Sequence, residues 1–341
     1  MDVRKNWLIM NNHYTLTIFT PAYNRAHTIG RTYESLCRQT CKDYEWLIID
    51  DGSTDGTREW VESLGEKITD KGVQYDWMGC PTDVEDKNHF VIETKGNPKK
   101  IRIEYVYKPN GGLYTGYNVA FQNIQTELCV CIDSDDYMSD NAVEIILDKW
   151  KRLSDSEREM VCGIVGLDYN VVDKKPIGGF FRTCNDIEWV YNLHHVGDTK
   201  NVFRTSLMRD VAPQIGFKGE KDFNPHYMQM QVYDKYPVVV VNENLCWVEY
   251  QIGADSMSQA IFKQYIRSPK SFAKYRIQEM QLKHNNSILD KFRLAAHYVS
   301  ACIFAKDSDW FRKTPCKLIT VLSIPIGILL NLYITSKSRQ K

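Results

Sequence analysis

Leu128 to Ile132 is a run of five apolar or thiol residues, and it passes directly into Asp133-Ser134-Asp135-Asp136-Tyr137. No other stretch constrains the fold as tightly. An apolar run of that length, closed by polar residues, fits a strand buried on both faces of a helix-covered sheet. The three carboxylates then emerge at the strand's C-terminal end, where ligands bind in open α/β sheets. In strand geometry Asp133 and Asp135 point to the same side. Two like charges that close repel unless something neutralises them. A hard divalent cation, which takes oxygen ligands and bridges to phosphates, is one neutraliser. A solvated acidic turn capping a helix that starts near Asp140 is the other reading, and these residues alone leave both open.

The segments before this strand repeat one rhythm. Tyr14 to Thr20 alternates and is β-rich, and Pro21-Ala22-Tyr23-Asn24-Arg25 ends it with turn chemistry. Thr28 to Gln39 carries Ile29, Tyr33, Leu36 and Cys37 at helical spacing. Tyr44 to Ile49 reads as a second strand, ending in Asp50-Asp51-Gly52-Ser53-Thr54-Asp55, with a helix over 57–64. Strand, helix, strand, helix predicts a parallel sheet with helices on both faces. Residues 65–100 break the rhythm and read as an insertion with hairpin character around Phe90-Val91-Ile92. Ile101 to Tyr107 is the next strand and ends at Lys108-Pro109-Asn110-Gly111-Gly112, where glycines let backbone approach a ligand. A helix over 114–124 leads into the acidic strand. Beyond it, a helix to about Leu153 is followed by strands at Met160–Leu167, Val202–Phe203, Val238–Val241 and Cys246–Tyr250, a turn at Asp255–Ser258, and a largely helical stretch from Ile261 to Phe304.

Four stretches, in this order, resemble an inverting glycosyltransferase of family 2 with the GT-A fold: Pro21-Ala22-Tyr23-Asn24-Arg25, Asp50 to Asp55, Asn110-Gly111-Gly112, and Asp133 to Asp136. Each lies at the end of a predicted strand. The resemblance covers Leu16 to about Met138 and extends more loosely to Tyr250. It implies an α/β GT-A fold with a mostly parallel central sheet flanked by helices and a helical C-terminal extension. The expected division is a catalytic domain over 14–250, with a donor half (14–140) and an acceptor half (141–250), then a helical region over 251–341 ending in a membrane-associating segment at 318–334. A UDP-sugar donor, a divalent cation (Mn or Mg) and inversion at the anomeric carbon are implied with it.

The resemblance also implies residue roles. Pro21, Tyr23 and Asp51 would hold the nucleoside, the tyrosine face stacking on the base and the carboxylate accepting from uracil's ring N–H. Asn110 and Gly112 would lie against the nucleoside. Asp133 and Asp135 match the Asp-x-Asp motif and would approach the ribose and the diphosphate-bound metal, with Asp136 nearby. The plainer readings are Tyr23 capping the sheet, Asp51 capping a helix, and ordinary turn glycines. Inversion needs a general base to deprotonate the acceptor hydroxyl. Family relatives often supply it in Glu-Asp just before a helix, and the nearest stretch here is Glu220-Lys221-Asp222. Asp222 is favoured, then Glu220, then His226, each against a reading as a loop charge or helix cap. A basic residue often found after Asn-Gly-Gly is replaced by Leu113, Tyr114 and Tyr117, so phosphate contacts are expected from Lys108 or the basic second half.

Trp189, His194, His195, Trp247 and Tyr250 suit either sugar faces or a core. Leu318 to Ile334 is mostly apolar, broken at Pro325-Ile326-Gly327, and flanked by Arg312, Lys313 and Lys317 and by Lys337, Arg339 and Lys341. It is slightly short for a span, so an interfacial or re-entrant helix fits better, with a buried core helix as the alternative. That predicts a peripheral protein on the cytoplasmic face of a membrane, acting on a lipid-linked saccharide. Met1 to His13 lacks the pattern of a secretory signal. The 341 residues carry no formal net charge, which gives a nucleic-acid partner no electrostatic support. Ten cysteines without a CxxC pair, several in apolar runs, predict thiols rather than a disulfide framework. A non-catalytic nucleotide-sugar-binding or assembly protein is the competing reading. A sugar nucleotidyltransferase and a dinucleotide-dependent dehydrogenase are disfavoured, since the first strand opens into neither a glycine- and arginine-rich loop nor GxGxxG.

Overall fold

The computed structural model describes residues 14–84, 88–95, 100–250, 260–284 and 287–339. The expected turn at Asp255–Ser258, and Met1 to His13, lie outside them. Among the described residues, eleven strands form one sheet: β1 (Leu16–Ala22), β2 (Tyr44–Asp50), β3 (Gly65–Asp70), β4 (His89–Thr94), β5 (Arg102–Tyr107), β6 (Leu128–Cys131), β7 (Tyr137–Met138), β8 (Gly163–Asn170), β9 (Ile187–Glu188), β10 (Thr199–Arg204) and β11 (Val238–Val248). Their order is β3-β4-β5-β2-β1-β6-β10-β8-β11-β7, with β9 added on β11.

The four central strands, β5-β2-β1-β6, are parallel. Helices Ile29–Arg38, Thr57–Ser63 and Leu113–Asn123 lie between strands of this half. Every residue of β1 is buried, as a strand covered on both faces requires. Successive side chains serve opposite layers: Leu16 and Ile18 join Trp46 and Ile48 on one side, and Phe19 joins Leu47, Ile49 and Phe121 on the other. Burying one such side chain stabilises the fold by about 1.5–3 kcal/mol. The one polar atom Trp46 carries inward is satisfied, its indole N–H donating to Thr20 Oγ1 at 2.9 Å.

The sheet changes character beyond the acidic strand. β10 runs antiparallel between β6 and β8, while β8 and β11 pair in parallel. The apolar segments expected as separate strands at Val238–Val241 and Cys246–Tyr250 form one strand, Val238–Val248, whose register shifts near Asn244. A short helix, Asp155–Met160, occupies the start of the expected Met160–Leu167 strand. Its capping box, Ser154 with Glu157, was readable as Ser-x-x-Glu. The insertion is a hairpin of β3 and β4 that extends the sheet beyond β5. After β11 come helices Ile261–Arg267, Pro269–Gln281, Ile288–Ala305, Trp310–Lys313, Lys317–Leu322 and Ile324–Ser338. They share a core of their own around Met280, Leu294, Ala295, Tyr298 and Ala301.

Candidate functional site

The C-terminal ends of β1, β2, β5 and β6 lie side by side, so the four turns that follow them meet. Asn24, in the left-handed region at φ 54°, ties the first turn to the second: its amide N–H donates to Ser53 Oγ and its side-chain oxygen accepts from Thr54 N–H, both at 2.8 Å. Pro21 is buried in β1 beside Ile49, whereas Tyr23 leaves 48% of its surface exposed. Asp50 is consumed internally, accepting from Ser53 N–H at 2.7 Å and Tyr105 O–H at 2.6 Å.

Asp51 fastens the second turn to the third. Its carboxylate accepts from the backbone N–H groups of Gly111 and Gly112, each at 2.9 Å, and from the ammonium of Lys108. Asn110 returns the tie, its side-chain N–H donating to the Asp51 carbonyl at 2.8 Å. Gly112 sits at φ +97° with the Lys221 carbonyl against its Cα, so both conformation and space exclude a side chain. The Trp77 carbonyl crowds Gly111 in the same way, which brings the insertion against this turn.

Lys108 does not supply a phosphate contact. Its ammonium is fully buried and its three N–H groups go to Asp51, the Pro109 carbonyl at 2.7 Å and Thr115 Oγ1 at 2.8 Å. Burial pulls the Asp51 carboxyl above its ordinary pKa and the Lys108 ammonium below its own, each partly countered by the other.

β6 ends at Cys131, so the carboxylates stand in a turn rather than on a strand. The Asp136 N–H donates to the Asp133 carbonyl at 3.0 Å and closes that turn. The alternation argument therefore does not govern them. Asp133 is exposed, Asp135 half-buried and Asp136 buried. Among the described residues, neither the Asp133 nor the Asp135 carboxylate accepts an N–H or O–H hydrogen bond. Surrounding protein and the charges of Asp135 and Asp198 raise the Asp133 pKa, against Lys200 and Arg25.

Beneath this turn lies a group that sequence reasoning missed. Lys200 of β10 is buried, with its ammonium 3.7 Å from the buried carboxylate of Asp168 on β8. Asp133, Asp136 and Asp168 hold this ammonium charged. Lys200, with Arg25 reaching only Asp133, does not balance so many carboxylates. Burial and mutual repulsion push Asp136 up to about 8 and Asp168 up to about 6. A lysine between Thr199 and Asn201 carries no sequence signal of this kind, because the acids it meets come from other strands. No three metal-ligating side chains cluster among the described residues. The excess negative charge, and the Asp133 and Asp135 oxygens that accept no N–H or O–H among the described residues, fit a hard cation that completes its shell with phosphate oxygens.

The loop before helix His226–Tyr233 reaches both the Asn110–Gly112 turn and the C-terminal helices. Lys221 donates to the Asn110 side-chain oxygen. Both Asp222 oxygens accept from the guanidinium of Arg267, and one also accepts from Ser268 O–H at 2.8 Å. Glu220 is buried and accepts from the Lys270 and Ser271 N–H groups at 3.1 and 2.8 Å, at the start of helix Pro269–Gln281. His226 is exposed and shares a hydrogen bond with Gln229 at 3.1 Å. Of the aromatic residues, Trp189 lies tilted against His284 with centroids 4.5 Å apart, and Trp247 meets Tyr169 edge-on. Tyr250 is 51% exposed and donates to Asp198 at 2.6 Å.

The sequence matches the profile described as "Glycosyl transferase family 2" over residues 17–79 and 86–211, more than half of the chain. It is 32% identical to a chondroitin synthase and to a hyaluronan synthase of Pasteurella multocida, in each case over 132 residues, 39% of this chain and 10% of the relative. The chain thus spans about a tenth of the length of those two relatives. Among solved structures, residues 1–349 of TarS from S. aureus in complex with UDP-GlcNAc share its fold, with a TM-score of 0.58 and 15% identity, over 96% of this chain and 92% of that one. Fold and sequence together define a glycosyltransferase of the GT-A fold. The chain belongs to glycosyl transferase family 2.

Proposed function

We propose that the enzyme transfers a sugar, with inversion at the anomeric carbon, from a UDP-sugar to a hydroxyl of a saccharide acceptor in surface polysaccharide or glycolipid synthesis. The observation that carries this reading is the convergence of the four turns, which leaves the Tyr23 ring and the Asp133 carboxylate open at one rim. Tyr23 stacks on the base, over a floor set by Pro21, Asn110 and Gly112. The Asp51 oxygen that accepts only the Gly112 N–H keeps a lone pair for the ring N–H of uracil. Asp133 and Asp135 would hold a Mn or Mg ion, which as a Lewis acid neutralises the leaving diphosphate.

Asp222 serves as general base in this reading, with an acceptor hydroxyl replacing Arg267 on one oxygen. Arg267 has the exposure to move, its side chain being 59% accessible. Glu220, held by two helix amides, positions the loop. Chondroitin synthase and hyaluronan synthase are named for polysaccharides, which supports a saccharide acceptor. The lipid-linked acceptor and the cytoplasmic membrane face belong to the same reading and draw on the exposed apolar residues of the C-terminal helices. Calorimetric titration with UDP, with and without Mn, tests the donor site. Binding that needs both Mn and Asp135 supports it, and failure to bind any nucleoside diphosphate overturns it.

A further inference from the structure

The last two helices, Lys317–Leu322 and Ile324–Ser338, are inside out for a protein surrounded by water. Their inward stripe is small or polar. Ser323 donates to the Phe292 carbonyl at 3.3 Å and Asn331 to the Ser300 carbonyl at 3.2 Å. Thr320 shares a hydrogen bond with Thr314 at 2.7 Å, and Gly327 packs on Val299 and the Ala296 carbonyl. With Ile334, these residues follow helical spacing along helix Ile288–Ala305. The outward stripe is apolar: Leu318 is 74% exposed, Leu322 56%, Leu329 66% and Leu332 60%. An ordinary surface helix has the opposite arrangement. A cleft of about 410 Å³ among Val299, Cys302, Ile303, Ile324 and Ile328 continues the apolar face.

Length and charge select what covers it. The longer helix has 15 residues, about 22 Å at 1.5 Å per residue, against roughly 30 Å of bilayer core. Among the described residues, no helix is long and apolar enough to cross a membrane. From Trp310 to the last residue there is no Asp or Glu, while Arg312, Lys313 and Lys317 precede the apolar stripe and Lys337 and Arg339 follow it. Arg312 and Lys313 are paired with Asp309 and Asp307. A second copy on this face would bring two acid-free, basic segments together. An anionic surface meets the opposite sign.

We infer that this face lies flat on an anionic lipid bilayer, with the leucines at the headgroup–acyl boundary and the flanking basic residues on lipid phosphates. This deepens the membrane part of the reading above and needs no sugar transfer. The test is co-sedimentation of the full chain with vesicles of phosphatidylcholine alone or mixed with phosphatidylglycerol, and UDP binding is measured on the same preparations. The chain is expected to pellet with the mixed vesicles, and added salt is expected to release it. Leu322→Glu/Leu329→Glu/Leu332→Glu is expected to lower partitioning at least about tenfold with UDP binding and the circular dichroism melt unchanged. Equal binding to both vesicle types, retention by the triple variant, or a concentration-dependent dimer that the triple variant disperses would each overturn the inference. Vesicle binding without UDP binding would overturn the donor site and leave the membrane face standing.

Discussion

The ammonium of Lys108 is buried against the carboxylate of Asp51, and the pair joins two turns that lie 57 positions apart in the chain. Neither charge has water to return to. Removing one partner leaves the other uncompensated, which costs about 3–5 kcal/mol for a buried pair. Lys108→Met is therefore expected to lower the unfolding free energy by about that amount in denaturant titration. UDP affinity should fall with it, because a buried Asp51 left without its cation takes up a proton and holds the Gly111 and Gly112 amides less tightly.

Asp222 and Glu220 make different predictions although they stand two residues apart. Asp222→Asn is expected to abolish transfer and leave UDP binding intact. Glu220→Gln is expected to weaken its contacts with the Lys270 and Ser271 amides and to cost about 1 kcal/mol of stability, with most of the turnover retained. Activity and melting curves on both variants separate base from brace. Loss of turnover in Glu220→Gln with full activity in Asp222→Asn would reverse the assignment.

Gly112→Ala places a methyl group against the Lys221 carbonyl at a φ of +97°. The strain is about 1–3 kcal/mol if the chain holds its course. The prediction is weaker UDP binding in calorimetry, since relief requires the turn or the 217–225 loop to move.

His297 should make the C-terminal helices acid-labile. It shares a hydrogen bond with Tyr265 O–H at 2.9 Å, and Arg276 donates to that same hydroxyl at 3.1 Å. Burial, and then the charges of Arg276 and Arg293, lower its pKa from 6.5 to about 4. A histidine kept neutral in the fold but free to protonate when unfolded stabilises the fold above its unfolded pKa. That contribution falls away as pH drops from about 6.5 to about 4, by roughly 3 kcal/mol at most. Wild type should lose more stability than His297→Gln between pH 7 and pH 4.5 in guanidinium titrations.

Local chemistry made the four converging turns readable. Turn residues after buried strands announced where β1, β2, β5 and β6 end, and neighbouring strand ends force those turns together. What the sequence hid depends on distant partners. Nothing local to Lys108 says that its ammonium is spent inside the protein. Nothing local to Lys200 says that β10 enters antiparallel between β6 and β8 and sets the lysine beneath the acidic turn. Asp222 and Glu220 stand out locally as carboxylates before a helix, but their partners Arg267, Ser268 and the Ser271 amide lie some 45–51 positions later. Leu318 to Ile334 was legible as apolar, yet which side of it faces outward follows only from its packing on helix Ile288–Ala305.

The contacts of Glu220 and Asp222 with residues 267–271 bear on how this catalytic body could be reused. A copy of the gene ending after β11 would encode all four converging turns and still lack the amides, the hydroxyl and the guanidinium that hold the 217–225 loop. Recombination that moves this body into a longer polypeptide therefore has no seam at Val248, and none at Gln281 either, because Met280 shares its core with Leu294, Ala295, Tyr298 and Ala301 of the next helix.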